Sequence, residues 1–403
     1  MIINGKYGDA FVYATLVDNE TEKQIKNLMN QKFVKNTRVS IMADCHAGKG
    51  CVIGTTMEIK DCCVPSLVGV DIGCGMLTIM LGKMDIDLIK LDRFVRKKIP
   101  AGFDVRKEEV KTSLDITKLF CYNKLDDKSR LRRSLGSLGG GNHFIEIDKD
   151  DDNNLYLIIH TGSRNLGKQV CDYYVKLASL DHEKRYKKAI NDLINRYTRL
   201  NKKEKIEEGL KKLKDRYTIT DNNLIPLFKD SFEAYLHDMA ICQDFAKINR
   251  EVIASDIMNY LGLDLKDYKY FHTIHNYINM SDLILRKGSI SAYENELVLI
   301  PINMKDGSIL AKGKSNKEYN FSAPHGAGRV LSRKEANEKI TLEDFKMAMQ
   351  GIYSTSVQID TIDESPFAYK SIDDILPNIL DTVEVLKIMK PIYNYKASNK
   401  RGR

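Results

Sequence analysis

The most informative stretch for the fold is Leu155-Tyr156-Leu157-Ile158-Ile159-His160, which is followed by Thr161-Gly162-Ser163-Arg164. An unbroken apolar run of this length, bounded by a Gly-containing loop, predicts a buried strand that ends at His160. The loop is expected to span 161–167, and a helix is predicted over about 168–180. A lone histidine at a strand end is more often a core residue, but Ser and Arg beside Gly are types that contact phosphate, which favours a functional position.

The other predicted elements do not alternate steadily between strand and helix. Helices are predicted at 21–34, where Thr21 and Gln24 resemble a capping box, and at 228–261. Short strands are predicted at 38–43, 51–58, 66–71 and 76–81, with a β-rich stretch near 283–301. The last 70 residues look mainly helical. This order favours an α+β fold over a doubly wound parallel sheet.

Composition bounds the class of protein. With 403 residues, 43% hydrophobic and 29% charged, the chain can bury one large core or two modest ones. Its eight cysteines form no C-x-x-C pair, which predicts reduced thiols and a cytoplasmic location. No apolar run approaches the length of a membrane span, so no membrane partner is expected.

Positive charge is concentrated in one segment. The formal net charge is +8, and residues 181–216 hold 13 Lys or Arg against 7 Asp or Glu. This segment is predicted to be a helical excursion from the core, and 397–403 forms a second basic stretch. Such a surplus favours a polyanionic partner such as nucleic acid, and a solvated, ion-paired hairpin is an equal alternative.

Five of the eight histidines stand in short stretches rich in Gly, Asn or Ser, and a cysteine stands in a sixth. These residues are His46, His143, His160, His275, His325 and Cys74. Imidazole and thiolate beside a tight, Gly-permitted backbone are typical of a metal site that a phosphate can approach closely.

Asp71 and Cys74 could reach the same side of one tight turn. Together with several histidines they make a mixed donor set that fits Mn, Zn or Fe, and the alternative is a structural turn with an inert buried cysteine. His272 and His275 lie three apart and could share a metal if that stretch is helical.

Two other motifs point to an anion. His143 follows Asn142 and three glycines, and an extended run over 143–147 would send His143 and Glu146 to opposite faces. His325 lies between Pro324 and a Gly-Ala-Gly loop that ends at Arg329. The guanidinium of an arginine can bind a phosphate through two parallel hydrogen bonds. His325 is therefore a candidate metal ligand or a candidate nucleophile toward phosphorus.

Seven motifs, taken in order, resemble the RtcB-type RNA-splicing ligases. They are Asp44-Cys45-His46-Ala47-Gly48-Lys49-Gly50, the stretches 69–76, 139–146 and 160–166, His275-Asn276-Tyr277, and the stretches 323–329 and 363–370. The resemblance extends from about residue 38 to Lys396. It implies a single large catalytic domain over 1–403, with mixed or antiparallel sheets flanked by helices.

The resemblance also implies an activity. Such an enzyme joins an RNA 2′,3′-cyclic phosphate or 3′-phosphate end to a 5′-hydroxyl end, in tRNA splicing or RNA repair, with GTP and Mn²⁺. His325 would be guanylylated and then pass the guanylyl group to the RNA. RNA with such ends would be the partner, and a protein activator is a second possible one.

The resemblance assigns residues to each role. One or two Mn²⁺ ions would be held by Asp71, Cys74, His143, His160 and His275. The nucleotide would be bound by Asn142, His143, Phe144, Ile145, Glu146, His275, Asn276, Pro301, Met304, Ser308, His325, Gly326, Ala327, Gly328 and Lys396. Glu146 suits the donor edge of guanine.

One stretch departs from the family pattern, which usually has Pro-Gly-Ser-Met-Gly before the nucleophile loop. Here it reads Pro301-Ile302-Asn303-Met304-Lys305-Asp306-Gly307-Ser308. We interpret this as a divergent branch with altered GTP contacts. Two other functions remain open: a metal-dependent RNA phosphoesterase, and an RNA-binding protein without ligase activity.

Overall fold

The computed structural model describes residues 1–48 and 50–397, so most of the basic stretch 397–403 lies outside the described residues. Its helices are α1 (Asn19–Met29), α2 (Pro65–Val68), α3 (Leu88–Lys98), α4 (Lys128–Arg133), α5 (Arg164–Arg199), α6 (Ile206–Tyr217), α7 (Asp230–Tyr260), α8 (Arg333–Lys339), α9 (Leu342–Ala348) and α10 (Ile372–Ile379).

The strands are mostly short, and the last is the longest. They are β1 (Ile2–Asn4), β2 (Asp9–Val12), β3 (Val39–His46), β4 (Ile53–Glu58), β5 (Cys62–Cys63), β6 (Gly75–Gly82), β7 (Phe144–Lys149), β8 (Leu155–Thr161), β9 (Leu227–Phe228), β10 (Tyr270–Ile274), β11 (Asn276–Ile278), β12 (Ile284–Lys287), β13 (Ser289–Ser291), β14 (Leu297–Asn303), β15 (Gly307–Gly313), β16 (Ser322–Pro324) and β17 (Val383–Lys396).

Two sheets organise the chain. One has six strands in the order β1-β2-β3-β4-β12-β11, and the other has seven in the order β10-β6-β8-β7-β17-β15-β14. All pairs in them are antiparallel except β2 with β3. The predicted α+β class, with mixed or antiparallel sheets flanked by helices, is confirmed.

The seven-stranded sheet curls toward a barrel. Its edge strands approach each other where the Leu299 backbone N–H of β14 donates to Thr273 Oγ1 of β10, at 3.1 Å. The inner face carries a small apolar cluster that includes Met76, Phe144 and Ile158. The outer face packs on α3 and α7. Because both faces are covered, every residue of β8 is buried, as its unbroken apolar run predicts.

Several predicted boundaries are wrong for local reasons. Helix α5 begins at Arg164, not near 168, so 164–167 is its first turn and not a loop. Strand β8 includes Thr161, and β7 begins one residue after His143. Helix α1 is capped by Asp18, whose side chain accepts from the Thr21 N–H, so Thr21 does not open a capping box.

Two elements were assigned to the wrong class. The run 66–71, predicted as a strand, contains most of α2, because Pro65 stands at its first helical position. The last 70 residues are not mainly helical, since they contain β17. Pro391, a residue type that would interrupt a helix, lies at an irregularity in the pairing of β17 with β7, where a proline is tolerated.

The long helices match the prediction better. Helix α7 spans nearly all of the predicted 228–261, and it buries Phe232, Tyr235, Leu236, Met239 and Phe245. Residues 181–216, here called the basic arm, comprise the end of α5, a 3₁₀ turn at Lys203–Lys205 and nearly all of α6. None of these residues is buried. No helix within the described residues combines the length and apolarity that crossing a bilayer requires.

The central strand β8 provides a stability test. Ile159→Ala removes a fully buried side chain from the layer between the sheet and α7. We expect the free energy of unfolding to fall by about 2–5 kcal/mol in urea denaturation. The control is Ile194→Ala on the exposed basic arm, with an expected change within about 0.5 kcal/mol. Equal losses in both variants would contradict the assigned packing.

Candidate metal centre and active site

Cys74 lies at the centre of a group of donor atoms. Its Sγ is 3.4 Å from His143 Nε2 and 3.3 Å from His160 Nε2. Asp71 Oδ2 is 3.2 Å from His143 Nε2 on one side, and His275 Nε2 is 3.1 Å from His160 Nε2 on the other. The structure therefore brings together all five predicted metal ligands, as two triads that share the thiol.

The loop 71–74 is held tightly. Gly73 has φ +71°, and a Cβ there would lie 2.9 Å from the Cα of Gln243, so only glycine fits this turn. The Cys74 N–H donates to the Asp71 carbonyl at 3.2 Å, which closes the turn. Asp71 and Cys74 therefore reach the same side of it, as the sequence predicts, although the loop follows a short helix and not a strand.

Helix α7 fixes this loop and its neighbours from behind. Arg250, fully buried, donates from one nitrogen to the carbonyls of Gly73 and Thr161, at 2.9 and 2.8 Å. Asn249 donates to the Gly162 carbonyl and accepts from the Ser137 N–H. Two adjacent residues of one helix thus hold the three loops that carry Cys74, His143 and His160. The sequence analysis missed both, because a polar residue on a helix gives no sign of burial.

The imidazoles are oriented for ligation. His143 Nδ1 is 2.8 Å from the Leu138 carbonyl, and His160 Nδ1 is 3.2 Å from the Asn142 carbonyl. A carbonyl can only accept, so each Nδ1 carries a proton, and each Nε2 faces Cys74, where it could serve as a metal ligand. Burial first, and then neighbouring imidazoles, lower the pKa of His160 and of His275 well below the ordinary value. Both rings are therefore neutral at pH 7.

The pKa values of the two acidic groups in this set, the Cys74 thiol and the Asp71 carboxyl, are shifted in opposite directions. Burial, and then the nearby Asp71, raise the pKa of the Cys74 thiol well above its ordinary value. Burial alone would also raise the pKa of Asp71, but the hydrogen bond and charge of His143 outweigh it and lower that pKa to about 2. A divalent cation would replace the thiol proton and neutralise both groups.

The donor set fits a divalent metal ion. Cys74 Sγ and the Nε2 atoms of His143, His160 and His275 converge at 3.1–3.4 Å in a buried place, where a cation could be bound by every one of them. Three imidazole nitrogens, a thiolate and a carboxylate suit borderline ions such as Mn²⁺, Zn²⁺ or Fe²⁺. His272 is not part of this site, since it lies on β10 between Arg250 and Glu251. The predicted sharing of one metal by His272 and His275 is therefore wrong.

Co²⁺ provides a spectroscopic test of the metal centre. We expect the protein to show a thiolate-to-cobalt absorption band that is lost in Cys74→Ala. Metal affinity should fall by more than the roughly 10- to 100-fold that loss of an outer-shell partner costs. Cys242→Ala, which removes a buried cysteine of α7, is the matched control. A band that survives in Cys74→Ala, or disappears equally in the control, would refute the assignment.

His325 adjoins the metal centre. Its ring centroid is 4.8 Å from that of His275. Asp44 Oδ2 accepts both the His325 backbone N–H at 3.0 Å and its Nδ1–H at 2.6 Å. The pairing fixes the tautomer and leaves Nε2 as a free lone pair. Gly328, with φ +74°, allows the loop to close onto the Asp44 backbone, where a Cβ would clash at 2.3 Å.

A cleft of about 390 Å³ opens beside His325. It is lined by five of the predicted site residues, namely Asp71, Asn142, His275, Asn276 and His325. Lys287 also lines it, with its Nζ 2.9 Å from the Ser66 carbonyl. Burial lowers the pKa of Lys287, and no described carboxylate pairs with it. Asn276 Oδ1 accepts from the Gly288 N–H at 2.9 Å, which shapes the turn beside His325.

The other predicted nucleotide contacts on β7 lie on two faces of the sheet, the inner face of the barrel and the outer core. Phe144 packs against the His160 ring at 5.2 Å between centroids, and the Lys396 ammonium lies 5.6 Å from the Phe144 centroid. Glu146 follows on the same inner face and accepts from Asn394. Ile145, on the alternate face, packs in the outer core. Its side chain therefore cannot contribute to the site.

The loop 326–328 lies beside residues 301–308, the stretch that departs from the family pattern. A Cβ on Gly326 would lie 3.1 Å from the Pro301 carbonyl, so that glycine permits the close approach. Ala327 is buried in a cluster with β14 and β15, and Met304 packs against Phe345 and Ala336. Ser308 is fully buried across from Pro301, and its hydroxyl has no hydrogen-bond partner among the described residues.

The predicted phosphate-contacting arginines are engaged within the protein. Arg164 donates to the Gly102 carbonyl at 2.8 Å and to Ser137 Oγ at 3.1 Å. Arg329 bonds the Asp363 carbonyl and Tyr369 and pairs with Glu364. Glu364 also pairs with Lys396 at 2.7 Å. These guanidinium groups support the loops that carry His160 and His325.

The chain was compared with known proteins. The family model described as tRNA-splicing ligase RtcB matches residues 24–127 and 121–397. The RNA-splicing ligase RtcB of Escherichia coli (strain K12) is 28% identical over 93% of this chain and 94% of its own length. The tRNA-splicing ligases RtcB of Nanoarchaeum equitans and Methanococcus maripaludis are 27% and 26% identical, over 89% and 96% of this chain and 87% and 94% of their own lengths.

Proposed function

The chain belongs to the RtcB family of RNA-splicing ligases, and from this premise we propose that it is a GTP- and Mn²⁺-dependent RNA ligase. As one catalytic unit, it would join a 2′,3′-cyclic phosphate or 3′-phosphate end to a 5′-hydroxyl end. The observation that carries the proposal is the placement of His325, oriented by Asp44, at the edge of the Cys74 donor group.

His325 would be the covalent nucleophile. Asp44 holds Nδ1–H, so the Nε2 lone pair is available to attack the α-phosphorus of GTP. A phosphorus–nitrogen bond forms, the bond from the α-phosphorus to the α,β-bridging oxygen breaks, and pyrophosphate leaves with the electron pair. The ring becomes positively charged, and the Asp44 carboxylate stabilises that charge as in other carboxylate–histidine pairs.

Two further transfers would complete the reaction. A cyclic phosphate is first hydrolysed by water to a 3′-phosphate. A 3′-phosphate oxygen attacks the guanylyl phosphorus, the bond to His325 breaks, and the RNA end becomes an activated anhydride. The 5′-hydroxyl oxygen then attacks the 3′-phosphorus, loses its proton, and GMP departs. Each transfer concentrates negative charge, which makes positioning and charge neutralisation the main tasks of the protein.

Asp71, Cys74, His143, His160 and His275 would hold one or two Mn²⁺ ions, which when bound supply positive charge to the phosphate oxygens. On the wall of the same cleft, the Lys287 ammonium lies without a carboxylate partner among the described residues. It would add charge where the RNA phosphate must lie.

The guanylate would lie between the cleft and the inner face of the barrel. Asn142 and Asn276 flank His325 in the cleft, and Phe144, Glu146 and Lys396 continue inward. Glu146 would accept the donors of the guanine edge. The loop 326–328, with Pro301, Met304 and Ser308 beneath it, would contact the remainder of the nucleotide. Ile145 would contribute backbone only.

Guanylylation distinguishes this proposal from its alternatives. With labelled GTP and Mn²⁺, we expect an acid-labile label on the protein that is absent in His325→Ala. In Asp44→Asn labelling should slow at least about 100-fold, because the amide does not fix the tautomer or offset the ring charge. His237→Ala, on the surface of α7, is the control and should label normally.

A protein that takes no label, but releases phosphate from cyclic-phosphate RNA without GTP, would instead be a phosphoesterase. RNA binding that is unaffected by removal of metal, with neither reaction present, would mean an RNA-binding protein. The complete donor group around Cys74 supports the catalytic proposals over the latter.

The basic arm would hold RNA beside the cleft. Helix α5 lines the cleft with Cys171, Asp172 and Val175, and then extends about 30 Å beyond Ala178, its last buried residue. Lys212 pairs with Glu208, and no other cation of the arm forms an ion pair with a described carboxylate. Exposed, unpaired cations on a rigid support beside a cleft are suited to phosphate contacts. Full ion pairing, the alternative from sequence, is thus not observed.

Charge reversal tests the role of the arm. Lys187→Glu with Lys188→Glu should weaken RNA binding and flatten the slope of log affinity against log salt by about 1–2, since each lost phosphate contact removes about 0.7–0.9. The control pair is Lys97→Glu with Lys98→Glu, exposed at the end of α3. If both pairs weaken binding equally, the effect reflects net charge, and the arm makes no specific contact.

A further inference from the structure

Strand β7 places a second carboxyl group behind Glu146. Residues two apart on a strand share a face, so Asp148 follows Glu146 into the interior of the barrel. The exposed fraction is 3% for Glu146 and zero for Asp148. Two buried carboxyl groups are therefore adjacent on the inner face, and neither the metal centre nor the chemistry at His325 uses Asp148.

The two groups have unequal surroundings. Glu146 accepts a hydrogen bond from the Asn394 amide, and it also feels the charge of Lys396. No described cation pairs with Asp148. Its side-chain neighbours are the Glu146 carboxyl and the fully buried Ser308 hydroxyl of β15, an uncharged donor that opposes the rise in the pKa of Asp148.

The remaining neighbours of Asp148 offer no compensation. Across β8 its partner is Tyr156, whose hydroxyl is engaged by Asp150. Asp150 is in turn paired with Lys387 at the mouth of the barrel. Across β17 the partner of Asp148 is Pro391, which has no charge and no N–H. Among the described residues, the charge that acts on Asp148 is therefore that of Glu146.

One proton must be shared by this pair. Burial, and then the negative charge of Glu146, raise the pKa of Asp148 well above the ordinary value. Burial also raises the pKa of Glu146, although Asn394 and Lys396 oppose that rise. Two adjacent buried carboxyl groups do not both ionise, and the proton resides on the one that no cation faces. Asp148 is thus the acid and Glu146 the anion.

We propose that Asp148, as a neutral carboxylic acid, is a positioning residue for nucleobase recognition, donating its O–H to Glu146. The hydrogen bond orients Glu146 from behind, and the other lone pairs of that carboxylate then face the donor edge of guanine. This inference rests on the proposed function, in which Glu146 reads the base. Asp148 itself does not contact the nucleotide.

The first experiment measures stability against pH without nucleotide. The unfolded chain releases the Asp148 proton near pH 3.8, whereas the folded chain retains it. The folded state therefore binds more protons above that pH, and raising the pH destabilises the wild type. The unfolding constant should rise by about tenfold per pH unit relative to Asp148→Asn, which cannot titrate. The melting temperature of Asp148→Asn, measured relative to that of the wild type, should therefore increase from pH 5 to pH 8.

Asp151→Asn, on the exposed turn after β7, is the matched control, and its difference from the wild type should not vary with pH. A pH-independent difference for Asp148→Asn, or the same trend in the control, would mean that Asp148 is ionised, and would overturn the proposal.

The second experiment measures the GTP concentration that gives half-maximal labelling. Asp148→Ala removes the proposed O–H donor to Glu146 and leaves that of Asn394, and should raise this concentration by about tenfold or more. Asp148→Asn keeps a neutral N–H donor and should recover most of that loss. Equal values for wild type and Asp148→Ala would overturn the proposal, as would failure of Asp148→Asn to recover anything. If the wild type takes no label, the proposed function fails, and the pH experiment alone decides whether Asp148 carries the proton.

Discussion

The structure depends on a set of buried acceptor atoms that face one another around Cys74. His143, His160 and His275 present ring nitrogens to the sulfur or to each other at 3.1–3.4 Å. Burying so many polar atoms together is costly inside a protein. A divalent cation would offset that cost, because each lone pair would then become a ligand. His325 lies at the edge of this donor group.

The scaffold is built to hold these atoms in place. Strand β8 brings His160 to the rim of the barrel, and α7 ties the adjoining loops together through Asn249 and Arg250. Arg250 is buried, and burial lowers its pKa to about 10, so the guanidinium remains charged next to Cys74 and Asp71. A fixed positive charge here favours the ionised thiol and carboxyl that metal binding needs. Loop geometry and local electrostatics therefore come from the same side chain.

Sequence reasoning identified the residues of the donor group, which the structure brings together, better than the residues that support them. His160 and Cys74 stand out because an apolar run and a Gly-rich turn are local patterns. Asp44 orients His325 from 281 residues away, and no local pattern reports such a contact. The sequence around Arg250 resembles that of any polar helix position, so it does not predict that the folded barrel buries this residue. Strand β17 was missed because Pro391 reads as a break, whereas a bulge tolerates it. Local sequence patterns do not reveal the long-range contacts that close the barrel.

The central claim is that one pocket joins the Cys74 donor group, a divalent metal and His325. Anomalous X-ray diffraction from crystals grown with Mn²⁺ tests it most directly. We predict manganese peaks within coordination distance of Cys74 Sγ, toward His143 and Asp71 on one side and toward His160 and His275 on the other, with His325 beside them. Manganese bound elsewhere, with the five side chains turned apart, would contradict the account.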